Sequence, residues 1–269
     1  MIVQHNITSM NANRQLGIVG GNLQKATEKL SSGYRINRAA DDAAGLAISE
    51  KMRSQVRGLQ RASDNAQDGI SLIQTAEGAL DQKHAILQRT RELVVQASNT
   101  AVLDSATQDV QKIQDEINKL KEEYERIDDQ TEFNKKNLLA GSYSGYLQIG
   151  ANSGQGIQLD IDKTSWSDFT LDMAAGSTNS GYIDTVDTMI SNVSTLRSKL
   201  GAIQNRLEYT IKVDDNTAEN MQSAESRIRD TDMADEMTRF SKESILQQAA
   251  TSMLAQANQA NQGVLSLLQ

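Results

Sequence analysis

Few side chains in this sequence have the types and the spacing that catalysis or metal binding requires. The two histidines are His5 and His84, and the segment after His84 lacks the second histidine, four residues on, of a zinc protease motif. The acidic pairs Asp128-Asp129 and Asp214-Asp215 could bind calcium, but the spacing of an EF-hand loop is missing, and we expect solvated helix ends. The glycines around Gly150 lack the lysine and the helix of a phosphate-binding loop. We therefore predict no catalytic residue, no cofactor and no metal site, in a protein that is not an enzyme.

The composition excludes further classes of site and of partner. The 269 residues include no cysteine and no proline, which excludes disulfides and thiolate chemistry and leaves long helices uninterrupted. The formal net charge of −8 argues against nucleic acid or an anionic membrane as the partner. No stretch reaches about 18 uninterrupted apolar residues, so we expect no membrane span. Residues 1–10 lack the basic segment followed by an apolar one that marks a classical signal peptide. If the protein is exported, we expect a route that does not read such a signal.

Heptad spacing of apolar residues is the dominant pattern, and it predicts long helices that pack through one seam. The longest run alternates steps of four and three residues: Met52, Val56, Leu59, Ser63, Ala66, Ile70, Ile73, Glu77, Leu80, His84, Leu87, Arg91 and Val94. At about 1.5 Å per residue this helix is on the order of 60 Å long, which is too long for a compact domain of this size. Shorter runs predict helices over 16–30, 110–127 and 183–211, with a break at Gly33.

Residues 141–181 differ from the rest of the chain, because they contain seven of the 17 glycines and alternate with a period of two. The alternation is clearest in 157–161, and it predicts a short β-hairpin. We therefore predict a mainly α fold: an elongated antiparallel helical bundle or coiled coil with a small β-hairpin region in the middle of the chain. Short connections favour antiparallel neighbours, so we expect the N- and C-terminal helices to lie side by side.

The C-terminal residues 246–267 form a narrow, alanine-rich seam surrounded by glutamines and asparagines. A surface helix on a globular body is the simpler interpretation, but the seam needs a covering partner, and the N-terminal helix can cover part of it. Neighbouring copies of the same chain could cover the rest. The predicted assembly seams contain Leu16, Val19, Leu23, Leu30, Leu246, Ala250, Met253, Ala257, Val264 and Leu267.

Several segments resemble bacterial flagellin, and the similarity covers roughly residues 1–140 and 180–269. In the N-terminal half they are residues 7–12 (ITSMNA), 29–37 (KLSSGYRIN), 40–48 (ADDAAGLAI) and 130–134 (QTEFN). In the C-terminal half they are residues 224–234 (AESRIRDTDMA) and 247–268. The resemblance implies a short form, without the outer variable domains that many flagellins insert between the two halves.

The resemblance implies a structural subunit that self-assembles into the flagellar filament for motility, and thus a secreted, extracellular protein. It implies an inner domain of paired terminal helices, residues 1–40 and 230–269, and a core rod domain, residues 41–229. It also implies export of the unfolded chain through the type III apparatus and folding on assembly. The implied partners are further copies of this chain, an export chaperone on the C-terminal helix, and the flagellar cap and junction proteins. A hook–filament junction protein of the same superfamily is the alternative.

The resemblance further implies recognition by a flagellin-sensing Toll-like receptor through the core helices. The residues that match the family's contacts are Gln88, Arg89, Leu93 and Glu116. Arg89 and Leu93 are one helical turn apart, and we expect them to share a face. The simpler interpretation is a solvated charge at Arg89, helix packing at Leu93 and a surface carboxylate at Glu116.

An enzyme or adhesive module carried on the helices is a third interpretation. It would have to lie in residues 141–181, where Trp166, Tyr143 and Tyr146, with the adjacent Tyr182, supply aromatic surface. About forty residues with so few large side chains provide too little apolar surface to line a binding pocket, so we favour the structural role.

Overall fold

The computed structural model describes residues 6–99, 109–168 and 176–266 of the chain. Within these ranges the chain is mainly helical with two small antiparallel strand pairs, so the predicted fold class is confirmed. The elements, in chain order, are α1 (Ile7–Ser32), α2 (Ala43–Ala97), α3 (Asp109–Gln130), β1 (Glu132–Phe133), β2 (Lys136–Asn137), β3 (Tyr143–Gln148), β4 (Gly156–Ile161), α4 (Gly176–Arg229) and α5 (Met233–Ser266). None of the described helices has an apolar stretch long enough to span a bilayer.

The chain divides into two compact units. The first, which we call the terminal unit, contains Met1–Ser54 and Glu219–Gln269. The second, which we call the central unit, contains Gln55–Ala218. The terminal unit therefore joins the two ends of the chain, and the central unit is one continuous stretch between them.

The core of the central unit forms along the seams that heptad spacing predicts in α2, α3 and α4. Of the thirteen positions in the longest run, eight are buried and four are half-buried. The exception is Arg91, whose guanidinium forms an ion pair with Asp187 of α4 at 2.7 Å. Apolar side chains of α3 and α4 complete the core, among them Ile117, Val193 and Leu200. Because each helix carries its apolar residues in one stripe, the helices enclose a narrow core that needs few large aromatic side chains.

The β-hairpin of the central unit forms where the period-two alternation predicts it. β3 and β4 pair antiparallel, with Tyr143 opposite Ile161 at the open end. In β4, Ile157, Leu159 and Ile161 are buried, while the two residues between them are exposed. The alternation therefore directs one face of the hairpin into the core.

Two glycines of α2 allow the hairpin to lie close against the helix. A Cβ atom on Gly58 would be 2.8 Å from the Cβ of Ala151, and one on Gly69 would be 2.7 Å from Leu147. Between the two glycines, the Asn65 side chain donates a hydrogen bond to the backbone carbonyl of the last β3 residue at 3.1 Å. A Cβ at Gly58 would push the hairpin away from α2, because Ala151 meets it with its Cβ and its backbone Cα, whereas a Cβ at Gly69 would displace the end of the Leu147 side chain.

α4 is longer at both ends than the sequence predicts. The heptad spacing predicts a helix over 183–211, but α4 runs unbroken over Gly176–Arg229. Residues 216–229 are rich in alanine, glutamate and arginine, which are good helix formers, so polarity alone does not end the helix. The break falls at residues 230–232, where the Asp232 carboxylate accepts a hydrogen bond from the N–H of Ala234 at 2.9 Å and caps α5.

In the terminal unit, α1 and α5 pack as antiparallel neighbours. At one end, the Asn6 side chain donates to the carbonyl of Ala257 at 3.0 Å, and at the other end Tyr34 and Asp230 form an antiparallel bridge. Gly33 ends α1 in the left-handed conformation, with a φ of 74°, and its N–H donates back into the last turn at 2.8 Å. The break that the sequence predicts at Gly33 is therefore a helix C-cap.

Candidate interaction surfaces

The α1 residues of the predicted assembly seam lie on the packed side of that helix. Leu16, Val19, Leu23 and Leu30 are half-buried, and Ala26 on the same stripe is buried. Steps of four and three residues place all five on one face. Because α5 packs along α1, this face already has a partner within one chain.

The α5 residues of the predicted seam fall on two sides of the helix. Ala250 and Ala257 are half-buried, whereas Leu246 and Met253 are exposed. Outside the described side chains lie Val264, Leu267 and His5. The exposed pair therefore has no cover within the described part of the chain.

The packed stripe of α5 has heptad spacing in a register that differs from the predicted one. It contains Glu236, Phe240, Glu243, Gln247, Ala250, Leu254 and Ala257. Its polar members make it hard to find by sequence, because a search for apolar residues passes over glutamate and glutamine. A carboxylate oxygen of Glu236 lies 3.6 Å from the Arg239 guanidinium, but one carboxylate oxygen of Glu243 is buried with no hydrogen-bond partner among the described residues. Buried carboxylates weaken the pairing of two helices that carry few large apolar side chains.

Exposed hydrophobic side chains are concentrated on the terminal unit. Thirteen large hydrophobic side chains are exposed among the described residues, and four belong to the central unit: Val95, Tyr146, Tyr209 and Val213. The other nine belong to the terminal unit: Ile7, Met10, Ile18, Ile48, Met233, Met237, Ile245, Leu246 and Met253. Eight of these nine lie on α1 and α5, and such a concentration of exposed hydrophobic side chains is typical of a surface that another protein covers.

A second candidate surface lies on α2 and α3 of the central unit. The Arg89 guanidinium donates two hydrogen bonds to Glu116 of α3, at 2.9 and 3.0 Å, and one to Glu92 at 3.1 Å. The hydrogen bonds to Glu116 raise the pKa of Arg89 above its usual value. Gln88 is exposed beside this pair, with its amide nitrogen 3.0 Å from a ring nitrogen of His84. The structure therefore brings Gln88, Arg89 and Glu116 together at the surface.

Leu93 is not part of that surface, although the sequence led us to expect it. Its side chain is 1% exposed and belongs to the central core, whereas Arg89 is exposed. A step of four residues turns the side chain by about 40° around the helix axis, which here is enough to move it from the edge into the core. Leu93 is a packing residue beneath the ion pair in this conformation.

A buried polar cluster joins α2, α3 and the segment after β4, and sequence reasoning missed it. The Lys83 ammonium lies 2.5 Å from Asp128 and 2.7 Å from the Thr164 hydroxyl. It also lies 3.9 Å from the centre of the Tyr124 ring, whose hydroxyl donates to the Thr164 carbonyl at 3.0 Å. Trp166 packs edge-on against Tyr124, with ring centres 5.3 Å apart. Trp166 therefore packs against the core, which argues against an open aromatic binding surface in this segment.

The electrostatics of the cluster are dominated by burial. Burial lowers the pKa of Lys83 and raises the pKa of Asp128, and their mutual hydrogen bond opposes both shifts. Burial also raises the pKa of Tyr124 to about 12. The expectation that Asp128 and Asp214 are solvated helix ends is therefore wrong, since both side chains are buried and burial raises the pKa of Asp214 too. No group of three or more metal-binding side chains occurs among the described residues.

Comparison with known proteins identifies the family. The profile described as the bacterial flagellin N-terminal helical region matches residues 3–144, and the one described as the C-terminal helical region matches residues 183–268. The chain belongs to the bacterial flagellin family. A flagellin is a structural filament protein, so this chain is not an enzyme.

Individual flagellins match over the whole length of this one. The flagellin of Halalkalibacterium halodurans is 57% identical over 274 residues, and that of Bacillus subtilis is 50% identical over 304 residues; both alignments cover 100% of each chain. The crystal structure of Bacillus cereus flagellin matches with a TM-score of 0.50 and 28% identity, covering 60% of this chain and 94% of that one.

Proposed function

We propose that this flagellin is exported as an unfolded chain, assembles into the extracellular filament through its terminal unit, and serves motility. The observation that carries the proposal is the concentration of exposed hydrophobic side chains on the terminal unit. Apolar residues surround α5, so one neighbouring helix cannot cover them all, and further copies of the chain are the natural cover. The weak α1–α5 stripe, with its buried glutamates, is consistent with terminal helices that become fully ordered only on assembly.

The proposal assigns an inner domain, residues 1–40 with 230–269, to the tube around the filament channel, and residues 41–229 to the outer core. Before export, exposed side chains such as Ile245, Leu246 and Met253 would promote aggregation, which favours a chaperone on α5. At the ends of the filament, the same surfaces would contact the flagellar cap and junction proteins.

Two matched substitutions test the assembly surface. Ile245 of the terminal unit and Val213 of the central unit are exposed to nearly the same extent, 66% and 63%. Replacing either with aspartate should change the stability of the free subunit by less than about 0.5 kcal/mol. We expect Ile245→Asp to remain in the supernatant after seeding with sheared filament ends, whereas Val213→Asp sediments as filaments visible by negative-stain microscopy. Normal polymerisation of Ile245→Asp would contradict the proposed surface.

We also propose that a Toll-like receptor recognises the patch of Gln88, Arg89 and Glu116 on the free subunit. The support is an ion-paired but accessible arginine, since a planar guanidinium can bridge two carboxylates or stack on an aromatic ring of a partner. Leu93 would contribute by packing beneath the patch rather than by direct contact.

The test compares two arginines on the same helix. Arg89→Ala removes the patch, while Arg91→Ala breaks a similar ion pair that faces α4. We expect receptor affinity to fall at least about tenfold for Arg89→Ala and to change little for Arg91→Ala. Equal losses in a direct binding assay would refute the assignment of the patch.

A further inference from the structure

Four methionines of the terminal unit expose their thioether groups. Met10, Met233, Met237 and Met253 are exposed by 68%, 48%, 50% and 61%. In contrast, Met189 of the central unit is 3% exposed, and its sulfur accepts a hydrogen bond from the Ser167 N–H at 3.3 Å. Among the described methionines, large exposure is therefore confined to the terminal unit.

These methionines lie among the side chains to which the proposed function assigns subunit contacts. Met10 is three residues from Ile7, and Met253 is seven residues from Leu246, so each shares a helix face with an exposed aliphatic side chain. The other two are four residues apart on α5 and also share a face. The unbranched thioether adapts its shape to irregular apolar contacts, which suits such an interface.

We propose that Met10, Met233, Met237 and Met253 form a peroxide-sensitive modification site whose oxidation prevents the free subunit from entering a filament. In the reaction, the thioether sulfur donates an electron pair to one oxygen of hydrogen peroxide. The S–O bond forms as the O–O bond breaks, and a proton moves to the departing oxygen to give water. The sulfur is oxidised by two electrons, the peroxide is reduced by two, and the product is methionine sulfoxide.

The sulfoxide changes what the surface can bury. A flexible apolar group becomes a polar one, and its oxygen needs a hydrogen-bond partner that an apolar subunit contact does not supply. In an assembled filament, the same contacts exclude the oxidant from the sulfurs. The inference rests on the proposed function, because it requires the terminal unit to be the contact surface between subunits.

The first experiment treats the full-length free subunit with hydrogen peroxide. We expect peptide mass spectrometry to find added oxygen at the four exposed methionines and none at Met189. The critical concentration for polymerisation should then rise at least about tenfold, and methionine sulfoxide reductases should restore it. A subunit that is oxidised at the four sites and still polymerises normally would overturn the inference.

A variant with all four methionines replaced by leucine provides the matched test, since leucine keeps apolar bulk and cannot be oxidised. We expect it to polymerise equally well with and without peroxide, and a variant with Met189→Leu to remain as sensitive as the wild type. Persistent inhibition of the fourfold leucine variant by peroxide would overturn the inference. If that variant does not polymerise at all, the reductase experiment tests the inference alone. Restored polymerisation of the oxidised wild type supports the inference, and a failure to restore it overturns the inference.

Filaments formed before treatment separate this inference from the proposed function. Protected sulfurs in filaments, together with normal assembly of oxidised subunits, would refute the inference and leave the contact surface intact. Sulfurs that react as fast in filaments as in free subunits would instead show that the terminal unit is not the contact surface, and the proposed function would fail with the inference.

Discussion

Replacing Asp128 with alanine would leave the Lys83 ammonium buried with Thr164 as its hydrogen-bond partner. The side chains of Lys83 and Asp128 are 0% and 7% exposed, so solvent does little to screen the remaining charge. Loss of one member of a buried ion pair typically costs about 3–5 kcal/mol, because the other charge stays desolvated and unpaired. We expect Asp128→Ala to lower the free energy of unfolding of the central unit by that amount at neutral pH.

Replacing both partners should be far less harmful than replacing one. Burial shifts the pKa values of Lys83 and Asp128 against their charged forms, which indicates that pairing does not fully offset desolvation. A well-packed apolar pair is then about as stable as the ion pair. We expect Lys83→Met combined with Asp128→Leu to recover most of the stability lost in Asp128→Ala.

Urea unfolding followed by tryptophan fluorescence measures these changes directly, because the single tryptophan, Trp166, lies within the cluster. The exposed ion pair of Lys121 and Asp168 provides the control, and Asp168→Ala should leave the urea midpoint close to that of the wild type. The reasoning is refuted if Asp128→Ala unfolds at the wild-type urea concentration, or if the double replacement is less stable than the single one.

Three further predictions concern the central unit. Gly58→Ala should destabilise the hairpin contact, because the new Cβ would lie 2.8 Å from the Cβ of Ala151. Gly78→Ala on the same helix meets no neighbour in the described part of the chain and should stabilise the protein by up to about 1 kcal/mol. Thermal melts of both variants check this. Between pH 10 and pH 12 the unfolded chain loses the Tyr124 proton while the folded chain keeps it. The contribution of this group to the free energy of unfolding is therefore fully present below pH 10 and falls by about 2–3 kcal/mol as the pH rises to 12. Tyr124→Phe should remove that part of the alkaline loss in urea titrations, and an unchanged pH profile would contradict it. Leu207→Asp places an unpaired charge in the core and should cost several kcal/mol, so a wild-type melting temperature would show that the α4 register is wrong.

The parts of the fold that sequence predicts well are those in which the core residues are apolar. In α2, residues such as Ile73, Leu80 and Leu87 repeat at heptad spacing, and nothing else explains that spacing as simply as a packed seam. The β-hairpin is predicted for the same reason, since its buried face consists of aliphatic residues at every second position.

Where polar residues take core positions, sequence reasoning fails. Lys83 falls between Leu80 and Leu87 on the packed side of α2, but a lysine is solvated so often that its position alone carries little weight. Its partner lies 45 positions away, and the spacing within one helix does not reveal such a pair. The packed stripe of α5 was missed for a related reason, because Glu243 and Gln247 resemble solvent-facing residues. At Leu93, the residue type fits both a core and a contact surface, and the rotation of the helix decides between them.

The pairing of α1 with α5 also constrains the order in which the two units can fold. Asn6 and Ala257 meet across 251 positions, and closing so large a loop in an open chain has a high entropic cost. A folded central unit shortens that loop, and the bridge between Tyr34 and Asp230 shortens it further. We therefore expect the terminal helices to pair from Gly33 outward to the chain ends. Trimming either terminus should therefore remove the α1–α5 contacts that form last and leave the earlier steps of folding unchanged.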